Sequence, residues 1–175
     1  MLCSFQPFHA PDQRQRFTYF KRSNELITHE GVNSMSLIQK MTKAFVLIVE
    51  DNIDNMLVLT ELLNVMPEVR YCNVRPSGRQ LFAFLENDAV PAINLILLDI
   101  NLPRENGYVL LPKIRVHPKL CNALVIAVSA QTGPQEVAKI RAAGFDGFLA
   151  KPLHFQRFPE QLRRIMNGEQ IWEGA

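Results

Sequence analysis

A chain of 175 residues suits one domain of ordinary size with a short extension. Hydrophobic residues make up 47% and charged residues 21% of the chain, close to the average of globular proteins, so a real core can form. The net charge of +2 excludes any argument from overall charge for binding to nucleic acid or to a membrane.

The cysteines and the hydropathy of the chain bear on its compartment. There are three cysteines, an odd number without C-x-x-C spacing, which argues against a disulfide framework or a zinc site and for a reducing compartment. No apolar run approaches the roughly 18 residues of a membrane-spanning helix. The first residues, MLCSFQPFHA, lack the charged and apolar regions of a signal peptide. We therefore expect a cytoplasmic protein.

Residues 1–40 show neither helical nor strand periodicity and hold all of the chain's surplus of basic residues. Pro7, Pro11 and the polar run that follows are typical of a loose segment. We expect either a flexible N-terminal extension or an over-long gene start. Met35 or Met41 would then begin the compact domain.

Beyond residue 43, strand and helix patterns alternate five times. Short apolar runs, the second of them partly polar, predict strands at residues 45–49, 70–75, 94–98, 124–128 and 145–149. Helical spacing predicts helices that start near residues 54, 78, 107, 134 and 159. Gly144 is a natural stop for the fourth helix, and Pro159 fits the first turn of the fifth. Pro112 inside the third helix removes an N–H donor, which favours a kink or a shorter helix.

Five such βα units predict an α/β fold, a doubly wound and mostly parallel sheet with helices on both faces. In sheets of this kind, ligands bind beyond the carboxyl ends of the strands. Polar residues stand at these ends in the sequence: Glu50 and Asp51 after the first strand, Asp99 after the third, Ser129 after the fourth and Lys151 after the fifth. Each alone has an ordinary explanation as a helix cap, a turn residue or a solvated charge, but their joint placement indicates a site.

The residue types at this edge point to phosphoryl chemistry with a metal ion. Three crowded carboxylates repel unless a cation offsets them, and an all-oxygen ligand set favours Mg²⁺ over zinc. A lysine and a serine hydroxyl can bind phosphoryl oxygens, and one carboxylate can act as nucleophile toward phosphorus. The chain has no glycine-rich nucleotide-binding loop, so a nucleotide substrate is not indicated.

The series VLIVEDN, LILLDINLPRENG, VIAVSA and GFDGFLAKP resembles the receiver domain of two-component response regulators. The resemblance covers about residues 43–168. It implies a flavodoxin-like (βα)₅ fold with a five-stranded sheet of order 2-1-3-4-5. It also implies that Asp99 accepts a phosphoryl group from the phosphohistidine of a sensor histidine kinase or a phosphotransfer protein.

The same resemblance implies a magnesium site. Glu50 and Asp51 match the family's acidic pair, which binds Mg²⁺ together with the phosphoacceptor, here Asp99, and a backbone carbonyl, here that of Asn101. Asp51 is the expected direct ligand. Glu50 either binds the metal directly or acts through water. Asn52, which follows them, either caps the first helix or only starts a turn.

The resemblance also implies a conformational switch. Ser129 matches the hydroxyl that contacts the phosphoryl group, and Lys151 matches the lysine that pairs with it. Phe148, three residues before Lys151, falls at the aromatic switch position. The lysine–proline junction formed with Pro152 is often cis in the family, and the sequence leaves the isomer open. Gln131, two residues after Ser129, stands at a place that influences phosphoryl lifetime, as does Asn101.

The family's usual signalling surface combines the fourth helix, the fifth strand and the fifth helix. Here it includes Val137, Ile140, Arg141 and Phe148, and the same face could pair two copies into a homodimer. Residues 169–175 are expected to be a short C-terminal tail. Trp172 in this tail is either an exposed anchor for a partner or packs back on the domain, and we favour packing.

We therefore expect a stand-alone bacterial receiver that switches a surface for a downstream protein partner, without binding nucleic acid or inserting into a membrane. It is not expected to be an enzyme in the usual sense. Two alternatives remain: a phosphorylation-independent interaction module, and a phosphatase with an aspartyl nucleophile. Such phosphatases have a second acid two residues after the nucleophile, and Asn101 stands at that position.

Overall fold

The computed structural model describes residues 43–173, in which strands and helices alternate. The strands are β1 (Ala44–Val49), β2 (Val69–Arg75), β3 (Leu95–Asp99), β4 (Leu124–Ser129), β5 (Gly147–Ala150) and β6 (Trp172–Glu173). The helices are α1 (Ile53–Asn64), α2 (Gly78–Leu85), α3 (Gly107–Val116), α4 (Pro134–Ala143) and α5 (Phe158–Met166). The extension predicted at residues 1–40 lies outside the described residues.

The strands form one parallel sheet of order β2-β1-β3-β4-β5-β6. The predicted order 2-1-3-4-5 is therefore confirmed. The sixth strand is an addition to the five predicted strands: it lies in the segment expected to be a tail and pairs with β5, with Trp172 opposite Phe148.

Helices cover both faces of the sheet, as the apolar strands require. Successive side chains of a strand point to opposite faces, and β3 is buried along its whole length. Leu47 and Leu98 join a core cluster with residues of α2, α3 and α4, whereas Ile48 and Leu97 join a second cluster with residues of α1 and α5. Each fully buried leucine or isoleucine contributes about 1.5–3 kcal/mol.

The ends of two helices settle one open alternative and confirm one prediction. The Asn52 side chain accepts a hydrogen bond from the Asn55 amide at 3.0 Å, so Asn52 caps α1. Gly144 ends α4 with a left-handed φ of 94°, as predicted.

Pro112 does not end α3, which continues to Val116. A proline there leaves only one carbonyl of the preceding turn without its helical donor.

Among residues 43–173, no helix is both long enough and apolar enough to cross a bilayer.

Candidate functional site

The parallel register brings the predicted site residues to one edge of the sheet. Val49 lies opposite Leu98 in β1 and β3, so Glu50 and Asp99 end neighbouring strands at the same level. Ser129 at the end of β4 lies opposite Ala150 in β5, immediately before Lys151. The carboxyl ends of four strands therefore supply the side chains that the sequence singled out.

Three carboxylates converge at this edge. One oxygen from each of Glu50, Asp51 and Asp99 lies within 4.8 Å of the others. Glu50 and Asp99 are 1% and 5% exposed, whereas Asp51 is exposed to solvent. Burial raises the pKa of Glu50, an effect that the Asp99 charge reinforces and the bonds from Lys151 and Asn55 oppose. The edge thus concentrates negative charge that a cation can offset.

Lys151 supplies part of this compensation. Its ammonium donates to Glu50 Oε2 at 2.6 Å and to Asp99 Oδ2 at 2.8 Å, and its side chain is only 15% exposed. Burial alone would lower the pKa of Lys151, but the hydrogen bonds and charges of the two carboxylates outweigh burial and raise it. The Lys151 amide donates to the Ser129 carbonyl at 2.8 Å, and the bond to Pro152 is cis.

The second oxygen of Glu50 is held by amides at the start of α1. Oε1 accepts from the Asn52 backbone N–H at 3.2 Å and from Asn55 Nδ2 at 3.0 Å. Asn55 was not among the predicted site residues. Its position in the sequence is a usable signal. Asn55 is the third residue after the N-cap Asn52, and side chains in the first turn of a helix tilt toward the helix N-terminus. The Asn55 side chain can therefore reach back to the end of β1.

Asp99 is positioned by the backbone around it. Oδ1 accepts from the Asn101 N–H at 2.8 Å, while Oδ2 receives the Lys151 bond. The Gly107 N–H donates to the Ile100 carbonyl at 3.0 Å, and a Cβ on Gly107 would lie 2.8 Å from the Asp99 carbonyl oxygen. The turn behind Asp99 is therefore too tight for a side chain at Gly107.

Ser129 and Phe148 are both fully buried. Ser129 Oγ accepts from the Gln131 N–H at 3.1 Å, and a serine hydroxyl that accepts one bond can still donate another. The Phe148 ring lies in the core cluster shared with α3 and α4, and its backbone N–H donates to the Ile171 carbonyl at 2.7 Å.

A polar cluster beside the site was not foreseen. The Tyr108 hydroxyl, at the start of α3, donates to Glu136 Oε1 in α4 at 2.7 Å. Lys139 Nζ lies 4.3 Å from the centre of the same ring, and Phe145 contacts the ring edge-on. Burial, and then the Glu136 acceptor, raises the pKa of Tyr108. Tyr108 and Glu136 stand 28 positions apart, so no local pattern in the sequence predicts the hydrogen bond between them.

The residues present fit a hard divalent cation. The acidic cluster offers oxygen ligands alone, without sulfur or imidazole, which suits Mg²⁺ or Mn²⁺ better than zinc. Asp51 is exposed, which leaves room for water ligands. Glu50 and Asp99 each have hydrogen-bond donors on both oxygens, so the exposed Asp51 is the most accessible of the three carboxylates.

Comparison with known proteins gives the family. The model of the response regulator receiver domain matches residues 46–163. Stress response regulator protein 1 of Meyerozyma guilliermondii is 31% identical over 136 residues, which are 77% of this chain and 61% of the relative. The polar-differentiation response regulator DivK of Brucella ovis is 31% identical over 126 residues, 72% of this chain and 98% of DivK. The relatives thus include eukaryotic and bacterial proteins.

Solved structures share the fold. The chemotaxis response regulator CheY4 of Vibrio cholerae superposes with a TM-score of 0.61 at 22% identity, covering 71% of this chain and 99% of CheY4. The Mn²⁺-bound form of response regulator Rcp1 gives a TM-score of 0.57 at 24% identity, covering 70% of this chain and 91% of Rcp1. The chain spans less than two thirds of several curated relatives, such as 53% of a rice two-component response regulator. With its family match and its sheet order, the chain belongs to the response regulator receiver domains of two-component signalling.

Proposed function

We propose that the protein is a phosphorylation-dependent switch in which Asp99 accepts a phosphoryl group from the phosphohistidine of a sensor histidine kinase or a phosphotransfer protein. One observation carries the proposal: the buried Asp99 carboxylate is held by Lys151 and the Asn101 amide, with the carboxylates of Glu50 and Asp51 beside it. No ordinary structural role requires three acids and one lysine at the carboxyl ends of neighbouring strands.

The transfer is a displacement at phosphorus. A carboxylate oxygen of Asp99 forms the new bond to phosphorus while the phosphorus–nitrogen bond of the phosphohistidine breaks. The electron pair of that bond stays on the imidazole nitrogen, which takes up a proton. The Asn101 N–H and the Lys151 ammonium hold the Asp99 carboxylate in a fixed orientation, which is the positioning that phosphoryl transfer requires.

Mg²⁺ is the proposed metal, held by Asp51 and Asp99, by the backbone carbonyl of Asn101, and by Glu50 directly or through water. A bound divalent cation supplies positive charge that offsets the charges of the carboxylates and of the phosphoryl oxygens. Rcp1, whose solved form binds Mn²⁺, shares the fold and supports a divalent ion.

Ser129, Lys151 and Phe148 form the proposed switch. A phosphoryl group on Asp99 adds negative charge and three acceptor oxygens, which the Ser129 hydroxyl and the Lys151 ammonium can bind. Lys151 would then exchange part of its bonding to Glu50 and Asp99 for bonding to phosphoryl oxygens. Because Phe148 lies three residues before Lys151 on β5 and is fully buried, a shift of the strand end changes the packing of its ring.

We further propose that residues 43–168 act as a stand-alone cytoplasmic receiver whose α4–β5–α5 surface binds a downstream protein. This surface is defined by α4, β5 and α5. DivK of Brucella ovis supports the stand-alone role, since the match covers 98% of that response regulator. Other relatives are longer, among them the peroxide stress-activated histidine kinase mak1 of Schizosaccharomyces pombe, of which the match covers 8%.

Intact mass spectrometry after incubation with Mg²⁺ and acetyl phosphate tests the proposal. The wild type should gain one phosphoryl group, Asp99→Asn should gain none, and Asp51→Asn should gain less. Asp88→Asn is a matched control, because Asp88 is an exposed acid in the loop between α2 and β3 and should leave labelling unchanged.

The same experiment separates the alternatives. A wild type without label, folded and supplied with Mg²⁺, would contradict the switch and favour a phosphorylation-independent module. Rapid turnover of unrelated phosphomonoesters would favour the phosphatase. Loss of label in Asp88→Asn would show that labelling is not specific to the site.

A further inference from the structure

Tyr108 follows directly after the tight turn that carries Asp99. The Gly107 N–H donates to the Ile100 carbonyl at 3.0 Å, and the Tyr108 N–H donates to Asn106 Oδ1 at 2.8 Å. The backbone at Gly107 also lies against the Asp99 carbonyl oxygen, with no room for a side chain between them. These short links fix Tyr108 relative to Asp99.

The connection from β4 to α4, residues 130–133, is held less firmly. Gln131 and Gly133 are exposed, and the Gln131 N–H donates to Ser129 Oγ at 3.1 Å. Gly133 precedes α4 without a side-chain cap, and a Cβ on Gly133 would meet nothing within 4 Å. The position of this connection relative to Asp99 therefore depends on what holds the start of α4.

A hydrogen bond between Tyr108 and Glu136 holds the start of α4. The Tyr108 hydroxyl donates to Glu136 Oε1, in the first turn of α4, at 2.7 Å. Charge-assisted bonds of this kind are short and stronger than bonds between neutral groups. Lys139 Nζ lies 3.9 Å from Glu136 Oε2 and 4.3 Å from the centre of the tyrosine ring, and Phe145 packs edge-on against that ring. The contact thus joins the start of α3 to the start of α4.

We propose that Tyr108 is a positioning residue for phosphoryl binding. Through Glu136 it fixes the β4–α4 connection, and with it the Ser129 hydroxyl, relative to the phosphoryl group on Asp99. This role rests on the proposed function, in which that hydroxyl binds a phosphoryl oxygen. Ser129 Oγ already accepts the Gln131 N–H, so the direction in which it donates its own proton depends on the position of residue 131. Tyr108 therefore acts through Ser129 and not on the phosphoryl group.

Loss of the Tyr108 hydroxyl should slow phosphoryl transfer to Asp99. Tyr108→Phe keeps the ring and its packing but leaves Glu136 without this donor. We expect labelling by acetyl phosphate to be about tenfold slower, the factor that corresponds to one hydrogen bond lost from the transition state. A domain of ordinary stability stays almost fully folded when it loses one hydrogen bond, so slow labelling would not come from unfolding.

A first measurement needs no phosphodonor. Backbone ¹⁵N order parameters of residues 130–133 are compared by NMR in wild type, Tyr108→Phe and Glu136→Gln. The order parameters should fall in Tyr108→Phe and stay unchanged in Glu136→Gln, because a glutamine side chain still offers an oxygen acceptor to the hydroxyl. Tyr71→Phe is the matched control, since it removes another tyrosine hydroxyl, which accepts from Asn73 Nδ2 at 3.2 Å in β2.

A second measurement follows the rate of labelling by acetyl phosphate with Mg²⁺. Tyr108→Phe is made in the wild type and in Ser129→Ala, and intact mass spectrometry gives each rate. The substitution should slow labelling about tenfold in the wild type but less than about twofold in Ser129→Ala, because residues that act through one another are not additive. A merely structural loss would slow labelling equally in both backgrounds. Tyr71→Phe and Glu136→Gln should label at the wild-type rate.

The two measurements separate the positioning role from the proposed function. A wild type that takes no label contradicts the proposed function, and the positioning role falls with it. A wild type that labels, with Tyr108→Phe at the same rate, overturns the positioning role alone. Equal slowing in Ser129→Ala, or unchanged order parameters in Tyr108→Phe, overturns it as well. If Ser129→Ala takes no label at all, the order parameters and the rate of Tyr108→Phe in the wild-type background decide. Circular dichroism confirms that each variant is folded.

Discussion

The ammonium of Lys151 donates to the Glu50 carboxylate across 2.6 Å, joining the end of β5 to the end of β1 although the two residues stand 101 positions apart. The pair is almost entirely shielded from solvent, because the side chains of Lys151 and Glu50 are 15% and 1% exposed. Desolvating two charges costs free energy that their attraction and hydrogen bonds must offset. The negative charge of these carboxylates can therefore be offset by the Lys151 ammonium or by a bound metal ion, and one cation can take over from the other.

Lys151→Met tests this exchange. Removing the ammonium leaves Glu50 and Asp99 buried without their main cationic partner, so the free energy of unfolding should fall by about 3 kcal/mol in metal-free buffer. Saturating Mg²⁺ should then stabilise the variant more than it stabilises the wild type, because the crowded carboxylates lack another cation. Urea denaturation with and without Mg²⁺ measures both effects.

Lys43→Met serves as the control for that experiment. Lys43 is exposed at the opposite end of β1, where its ammonium donates to the Pro67 carbonyl at 2.7 Å. Its removal should change stability by less than about 1 kcal/mol, with or without Mg²⁺. An equal loss in both variants would contradict the assigned role of Lys151.

Gly107→Ala should disturb the turn behind Asp99. The added Cβ would lie 2.8 Å from the Asp99 carbonyl oxygen and 3.0 Å from Ile100 Cα, and neither backbone atom can give way cheaply. Overpacking of this kind costs about 1–3 kcal/mol. Since the displaced atoms carry the Asp99 side chain, labelling by acetyl phosphate should fall as well, even where the variant is fully folded.

Gly133→Ala is the counterpart to this change. A Cβ on Gly133 meets nothing within 4 Å. Alanine restricts the unfolded chain but is a poorer N-cap than glycine, so the two effects offset to within about 1 kcal/mol. Unchanged labelling in both glycine variants would show that the turn at Gly107 does not position Asp99.

Most of the candidate site was readable from the sequence because its side chains end apolar strands. In a parallel sheet, strand ends meet at one edge, so Asp99, Ser129 and Lys151 could be placed together without knowing any distance. Strand β6 could not be predicted. Two residues show no periodicity, and their docking depends on the turn at Gly168 and on the bare backbone of Gly147, which only the folded chain brings together.

Tyr108→Phe should loosen the contact between α3 and α4. The substitution keeps the ring, with its Lys139 and Phe145 contacts, but removes the hydrogen bond to Glu136. Loss of this bond should lower the free energy of unfolding by about 1–2 kcal/mol. Thermal or urea denaturation measures the change, and a difference below a few tenths of a kcal/mol would show that water replaces the hydroxyl fully.

The same residue predicts a loss of stability at high pH. Burial raises the pKa of Tyr108 in the folded chain, so its contribution is complete below the pKa of the unfolded phenol and is lost as the pH rises above that value. In Tyr108→Phe this part of the alkaline destabilisation should be missing. The difference between the phenolate absorbance titrations of the two proteins isolates Tyr108, and a titration step at the ordinary pKa of tyrosine would contradict the burial.

Cys72 should be nearly inert toward alkylation in the native protein. Burial raises the pKa of its thiol from 9.0 to about 11, and the thiolate is the reacting species. Near neutral pH the thiolate fraction is then about a hundredfold lower than for an ordinary thiol. In a Cys3→Ser, Cys121→Ser background, iodoacetamide should label Cys72 at least about tenfold more slowly in buffer than in urea. Equal rates in both solvents would mean that β2 opens to solvent without global unfolding.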